Sequence, residues 1–437
     1  MIDTIREAVE ADGRASDYRL SQSLRKGVEW YLIGDRLDSA RSLEILSYSL
    51  TLYVDSQDGD ERTRGAFTLA IQPSADAAEL RAAIDRGIRA ARGMKNAWYP
   101  LPDAEASRGA LAIPMSAFAS SPIEAAMPAL KAALYAREGE AGSRINSLEL
   151  FLSRIDERIV NSRGIDLSFS RYKGYCEYIV NASTPGKDEI ELYGDLDFAE
   201  PDYERLSSAL GDKLRQARDR LEAEPTPDCG GLPVLFRAEL AEKIYSYWFE
   251  GCQNAAAYQK TSPFTLGENL GAEGKTGDVI SLKALPYLAG SPSSAPYDPD
   301  GMALKPIDCI VANKLERLIG PIKYAHYLKQ SPCGALPLFE LAGGAQSQRE
   351  LASVPHLEAS SFSDFFVDPT TGDFGGELRL GYVSRDGKRV PVSGGSITGN
   401  LAENRGAIKL SRELEARASC LAPAACLIPK ARIASAL

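Results

Sequence analysis

Residues 224–231 read Glu-Pro-Thr-Pro-Asp-Cys-Gly-Gly, and this stretch limits the possible folds more than any other. Two prolines and two glycines in eight residues break both the 3.6-residue period of a helix and the two-residue period of a strand. Proline cannot donate to a backbone ladder, and glycine resists being fixed, so a continuous core across this point is disfavoured. The segment predicts a boundary between two units, 1–222 and 232–437. The 437-residue length agrees, at roughly 100–200 residues per domain.

Before the boundary the pattern is mixed. Ile2, Ile5 and Val9 share a helical face that Gly13 stops. From Leu46 the chain alternates, with Tyr48, Leu50, Leu52 and Val54 on one side and Ser47, Ser49 and Thr51 on the other. That is the signature of a half-buried strand. Asp58-Gly59 signals a turn, and Phe67, Leu69 and Ile71 supply an antiparallel partner. Asp76 and Glu79 have capping-box spacing ahead of a helix carrying Leu80, Ile84 and Ile88. Residues 100–121, rich in Pro, Ala and Ser, predict a loop, and 122–137 a helix. Strands follow at Leu148–Leu152 and at Ile159–Val160, the latter running into a turn through Gly164. A hairpin is expected around Lys173-Gly174, and a helix over 203–222. Beyond the boundary a short strand, 234–236, feeds a helix over 238–256 whose apolar face includes Ile244, Tyr245, Trp248 and Phe249. Glycine and proline then dominate to about 400, which predicts a sheet with long loops. The fold class is therefore α+β in two domains. The first is an antiparallel or mixed sheet with helices; the second is a mainly antiparallel, barrel-like sheet with a few helices.

Charge and composition narrow the function. The formal charge is −10, so the chain as a whole offers little to nucleic acid or an anionic membrane. No apolar run approaches the roughly 18 residues of a membrane span, and the first residues lack a signal-peptide pattern. The seven cysteines are odd in number and form no CxxC pair, so free thiols in a cytoplasmic setting are expected. Only two histidines occur, His326 and His356, which excludes an HExxH zinc helix or a C₂H₂ finger. His326 reads as a packed or half-exposed residue and His356 as a loop residue.

Several strings resemble motifs without completing them. Gly274-Lys275-Thr276 has Asn269 where a phosphate loop needs glycine. Asp298-Pro299-Asp300-Gly301 lacks the later ligands of a calcium loop and reads as a tight turn. Gly394-Gly395-Ser396 has Thr398 where a nucleophile elbow needs glycine, and reads as a turn with positive φ. The apolar tail Cys420–Ile428 fits either a terminal strand or a docking segment.

In the last third, Asp368-Pro369-Thr370-Thr371-Gly372-Asp373-Phe374 precedes Gly381-Tyr382, Asp386-Gly387-Lys388-Arg389-Val390-Pro391-Val392 and Ile397-Thr398-Gly399-Asn400-Leu401. Upstream lies Tyr258-Gln259-Lys260-Thr261-Ser262-Pro263-Phe264, then Gly267-Glu268. In order and spacing these strings resemble the TldD/PmbA family, to which the label "modulator of DNA gyrase" is also attached. The −10 charge gives no support to direct DNA contact. Asp298–Gly301 and Ile159–Gly164 are similar to two further turns of that family. The resemblance is stronger in the C-terminal half.

TldD-type members carry HExxxH on the helix after the first C-terminal strand, and a later cysteine completes the metal site. Here Tyr245 and Glu250 fall at the histidine positions, Ser246 at the glutamate and Val383 at the cysteine. The resemblance therefore implies a metal-free subunit of the PmbA/TldE type, without cofactor. It also implies a TldD-type metallopeptidase subunit, or the chain itself, as dimer partner, and a small unfolded peptide as substrate. Peptide held by strand addition fits the glycine-rich strands around 372–400. Candidate groove positions are Ser262, Gly372, Asp373, Phe374, Gly399 and Asn400. Two other readings stay open: a stand-alone homodimer that binds peptide or another ligand without hydrolysis, and an enzyme using Tyr245 and Glu250 as an acid/base pair.

Overall fold

The alternating segments of the N-terminal half pair into one seven-stranded antiparallel sheet. Its spatial order is Asn96–Ala97, Glu61–Ile71, Arg36–Asp58, Asp17–Ile33, Ser143–Asn161, Asp166–Ala182 and Ile190–Phe198. The chain is described here as a computed structural model covering residues 1–139, 142–271 and 276–436. Two-residue spacing sends Leu20, Val28 and Leu32 to the same side of their strand, and helices cover that face. Helices Ile2–Asp12 and Ala77–Arg92 close over Leu20, Leu50 and Leu52 at one end. Helices Ile123–Tyr135 and Tyr203–Leu221 close over Leu148, Leu150 and Leu152 at the other. The capping box forms: the Asp76 carboxylate accepts from the Ala78 and Glu79 amides, and Glu79 accepts from the Asp76 amide.

The hairpin expected at Lys173-Gly174 is absent, because Asp166–Ala182 is one unbroken strand. Gly174 serves packing instead of turning. The Phe198 ring lies against its backbone, where a Cβ would overlap it.

Beyond residue 223, two sheets enclose a separate core around helix Ala238–Gly251. The nine-stranded sheet places Val234–Arg237 between Ala425–Ile428 and His356–Val367, then continues through Asp373–Arg385 and Lys388–Ser393. The six-stranded sheet includes Leu282–Leu285, Leu338–Leu341 and Cys420–Pro423. Most pairs are antiparallel, but neither sheet closes, so the barrel-like expectation gives way to two open sheets. The tail Cys420–Ile428 supplies two interior strands. Glu224-Pro225, at the start of the supposed break, forms a short edge strand beside Val392 and Ser393, a place where proline costs no ladder bond.

Three local expectations need correction. The helix read as 238–256 stops at Gly251, where the Phe264 ring leaves no room for a Cβ, and a second helix runs Asn254–Gln259. His356 opens a strand and is 1% exposed, its Nδ1–H donating to the Val354 carbonyl at 2.7 Å. His326 is exposed and lies edge-on to Trp98. Gly394 and Gly395 do form the positive-φ turn, while Gly274 and Lys275 lie outside the described residues. No helix among the described residues is long and apolar enough to cross a membrane.

Polar and aromatic contacts join the halves, among them Phe169 against Tyr297 and the Ala303 amide donating to the Ala106 carbonyl at 2.9 Å. Arg19 pairs with Asp300, the Tyr327 hydroxyl donates to the Ala97 carbonyl at 2.6 Å, and the Tyr382 hydroxyl donates to Asp219 at 2.6 Å.

Candidate functional site

Helix Ala238–Gly251 carries three of the four positions at which the resemblance expects metal chemistry. Tyr245 is 0% exposed, and its hydroxyl donates to the Pro423 carbonyl at 3.0 Å. Burial, with Cys426 beside it, pushes the phenol well above its ordinary value. The Ser246 hydroxyl turns back to the Lys243 carbonyl at 2.7 Å. Glu250 stands on the exposed side of the helix, with its carboxyl raised by desolvation. Val383 lies on Asp373–Arg385, opposite Leu357 and Val390. Among the described residues no hydrogen bond or ion pair joins any two of these four. No group of three or more His, Cys, Asp or Glu among them converges as a metal site either. The nearby thiols of Cys420 and Cys426 are both pushed up to about 12 by burial, which suits packing more than reactivity.

The candidate groove positions divide. Ser262 is structural: its hydroxyl contacts the Gly251 carbonyl at 2.9 Å and the Phe264 carbonyl at 3.1 Å, holding the segment to the end of the central helix. Asp373, Phe374, Gly399 and Asn400 instead line one cleft of about 570 Å³, with Phe366, Thr398, Glu403 and Arg432 around it. They meet because Asp373 and Asn400 are register partners on adjacent strands. The Asn400 amide donates to Asp373 at 2.8 Å and to the Thr371 carbonyl at 3.0 Å. The Asn400 amide and the Thr371 hydroxyl, which donates to Asp373 at 2.8 Å, hold that carboxyl below its usual range. Gly372 sits just behind, at φ 78°, in the turn capped by Asp368. Gly399 admits the Phe374 ring where a Cβ would collide with it. Phe366 is 54% exposed. Strand Ala431–Ala434 flanks the cleft and is paired only with Ser396–Asn400 among the described residues, so its outer edge is free. The chemistry available here is binding: a free backbone edge beside an apolar ring and a fixed carboxylate.

A second cleft, of about 620 Å³, was not foreseen from the sequence. It lies between helix Tyr203–Leu221 and the C-terminal half, and its charged walls come from segments far apart in the chain. The one local signal was Asp219, an acid in the last turn of a helix, where the helix dipole disfavours negative charge.

Residues 229–435 match the PmbA/TldA metallopeptidase C-terminal domain. Three solved structures share the fold along almost the whole chain. One, from Bacteroides thetaiotaomicron and described as a modulator of DNA gyrase, is 17% identical, with a TM-score of 0.79 and coverage of 100% of this chain and 98% of that one. A protein of the same description from Thermotoga maritima is 16% identical, with a TM-score of 0.77 over 99% of this chain and 98% of its own. TldE from Thermococcus kodakarensis is 12% identical, with a TM-score of 0.75 over 99% and 98%. Among curated proteins none matches significantly.

Proposed function

We propose, from the match of residues 229–435 to the PmbA/TldA metallopeptidase C-terminal domain, that the chain is a metal-free subunit of the PmbA/TldE type. In this reading it acts in a cytoplasmic complex with a TldD-type metallopeptidase partner, and the complex processes small unfolded peptides. The observation that carries the proposal is the state of the central helix. A peptidase zinc takes about three protein ligands and a water, with a carboxylate to accept the proton. At the corresponding positions stand a phenol committed to a backbone carbonyl, a hydroxyl turned into its own helix, an exposed carboxylate and a valine. That donor set does not fit the ion. The same arrangement speaks against acid/base work by Tyr245 with Glu250, since the phenol is sealed inside the core and the carboxylate faces away from it. The cleft beside the free edge of Ala431–Ala434 supports a role in holding extended peptide by strand addition.

The test is metal analysis and a peptidase assay on the purified chain, alone and with a TldD-type partner. The expected result is substoichiometric zinc and no hydrolysis alone, with co-purification and hydrolysis in the pair. One equivalent of zinc and hydrolysis by the isolated chain would overturn the reading.

A further inference from the structure

The cleft of about 620 Å³ is walled by charged groups, and their pairing shows what remains unmatched. Asp212 is taken by Arg215, Glu239 by Lys213 and Glu415 by Arg417. Arg218 reaches Glu222 at 3.4 Å, a carboxylate that Lys187 also holds at 2.8 Å. On the C-terminal wall, Arg237 and Arg389 share a single carboxylate, Glu358, at 3.6 and 3.4 Å. That wall is left with one surplus positive charge. On the opposite wall, Asp219 makes no ion pair among the described residues; it accepts only the Tyr382 hydroxyl, at 2.6 Å. Tyr382 bridges the two walls, because the Arg389 guanidinium also lies over its ring, 3.3 Å from the centroid. The Arg389 guanidinium and the unpaired Asp219 carboxylate are therefore about one tyrosine ring apart.

The backbone adds charge of the same sense. Asp219 sits in the last turn of helix Tyr203–Leu221, between Arg218 and Arg220, where outward-pointing carbonyls favour a cation. Ala238 and Glu239 line the cleft at the first turn of helix Ala238–Gly251, which has no side-chain cap and whose free amides favour an anion.

We propose that this cleft binds a small zwitterion of the free-dipeptide class, its carboxylate on Arg237 and Arg389 and its ammonium on Asp219. The guanidinium pair matches a carboxylate with charge-assisted hydrogen bonds. The ammonium gives Asp219 the ion-pair partner it lacks among the described residues. One or two extended residues, about 3.5–7 Å, span the gap. The proposal rests on the peptide-handling reading above and deepens it, because short peptides with both ends free are what a peptidase complex releases.

The test is calorimetric titration of the full chain with dialanine, N-acetyl-dialanine and dialanine amide at neutral pH. Each blocked form loses one charged hydrogen-bond partner and should bind roughly 10- to 100-fold more weakly than dialanine. Arg389→Gln, which leaves only Arg237 facing the carboxylate, should sharply reduce the preference for the free carboxylate and leave the preference for the free ammonium. Asp219→Asn should do the reverse. Arg389 is half exposed, so its variant is expected to fold even if the helix variant does not, and it decides the carboxylate arm alone. Equal binding of the three ligands, or preferences unchanged in Arg389→Gln, would sink this site. So would an absence of dialanine binding when a ten-residue unfolded peptide still binds; in that case the subunit reading survives. If neither ligand binds, and no TldD-type partner co-purifies, both fall.

Discussion

Asp298 illustrates how much a single side chain can carry that its sequence context hides. The string Asp298-Pro299-Asp300-Gly301 reads as a tight turn, and a turn it is, with Gly301 at φ 89°. What the string cannot reveal is that Asp298 is 2% exposed and serves three backbone amides, those of Asp300, Met302 and Ala335. Burial, reinforced by Asp300, outweighs those bonds and pushes its carboxyl up to about 6, from an ordinary 3.8. An acid raised on folding contributes stability that is fully present below pH 3.8 and lost as pH rises through 6. Asparagine does not titrate, so the stability of wild type relative to Asp298→Asn should grow by about 1–3 kcal/mol between pH 8 and pH 4.5. Urea unfolding of both proteins at a series of pH values measures this. A difference that stays constant across the range would show that the carboxyl does not titrate there.

At the scale of elements, what was legible depended on whether the cause was local. The Asp76/Glu79 capping box, the alternation from Leu46 and the stripe of helix Tyr203–Leu221 all lie within a few residues of what they determine, and all form. That Asp373 and Phe374 lie beside Gly399 and Asn400 was also legible, because two neighbouring strands pair in register there. Gly174 was misread because glycine in a polar setting usually means a turn, whereas its partner is a ring on the next strand. His356 and the break after Gly251 failed for the same reason, their causes being remote in sequence. The second cleft was invisible, since charged residues from scattered segments read one by one as solvated surface. Gly174→Ala tests the packing explanation. A methyl there must displace the Phe198 ring inside a filled core, so a loss of about 1–3 kcal/mol is expected on chemical denaturation. Gly93→Ala, at an α-helical φ of −76° with no close neighbour, should cost little by comparison. Equal effects at both sites would show that the ring contact does not constrain the strand.

For the whole molecule, the separation of cores is the feature with the widest consequence. Residues 2–221 fill two clusters on one face of the seven-stranded sheet, while residues 229–428 fill another around Trp248. Between the halves lie polar contacts, ring contacts such as Phe169 against Tyr297, and a small cluster of Tyr53, Tyr99 and Leu101 against Tyr327. Hydrophobic burial scales with apolar area removed from water, so each half draws most of its stability from its own core. We therefore expect residues 1–222 alone to unfold cooperatively in urea, with an m-value roughly half that of the full chain, since m follows the surface exposed. The midpoint should fall, because the fragment exposes the Tyr53–Tyr99–Leu101 cluster and leaves Arg19 without Asp300. In the full chain with Trp30 and Trp98 replaced by phenylalanine, Trp248, buried in the C-terminal core, reports that half by fluorescence, and circular dichroism reports both. A fragment that melts without a cooperative transition would mean that the interface organises the N-terminal sheet. The boundary at 224–231 would then mark a bend within one unit instead of a division between two.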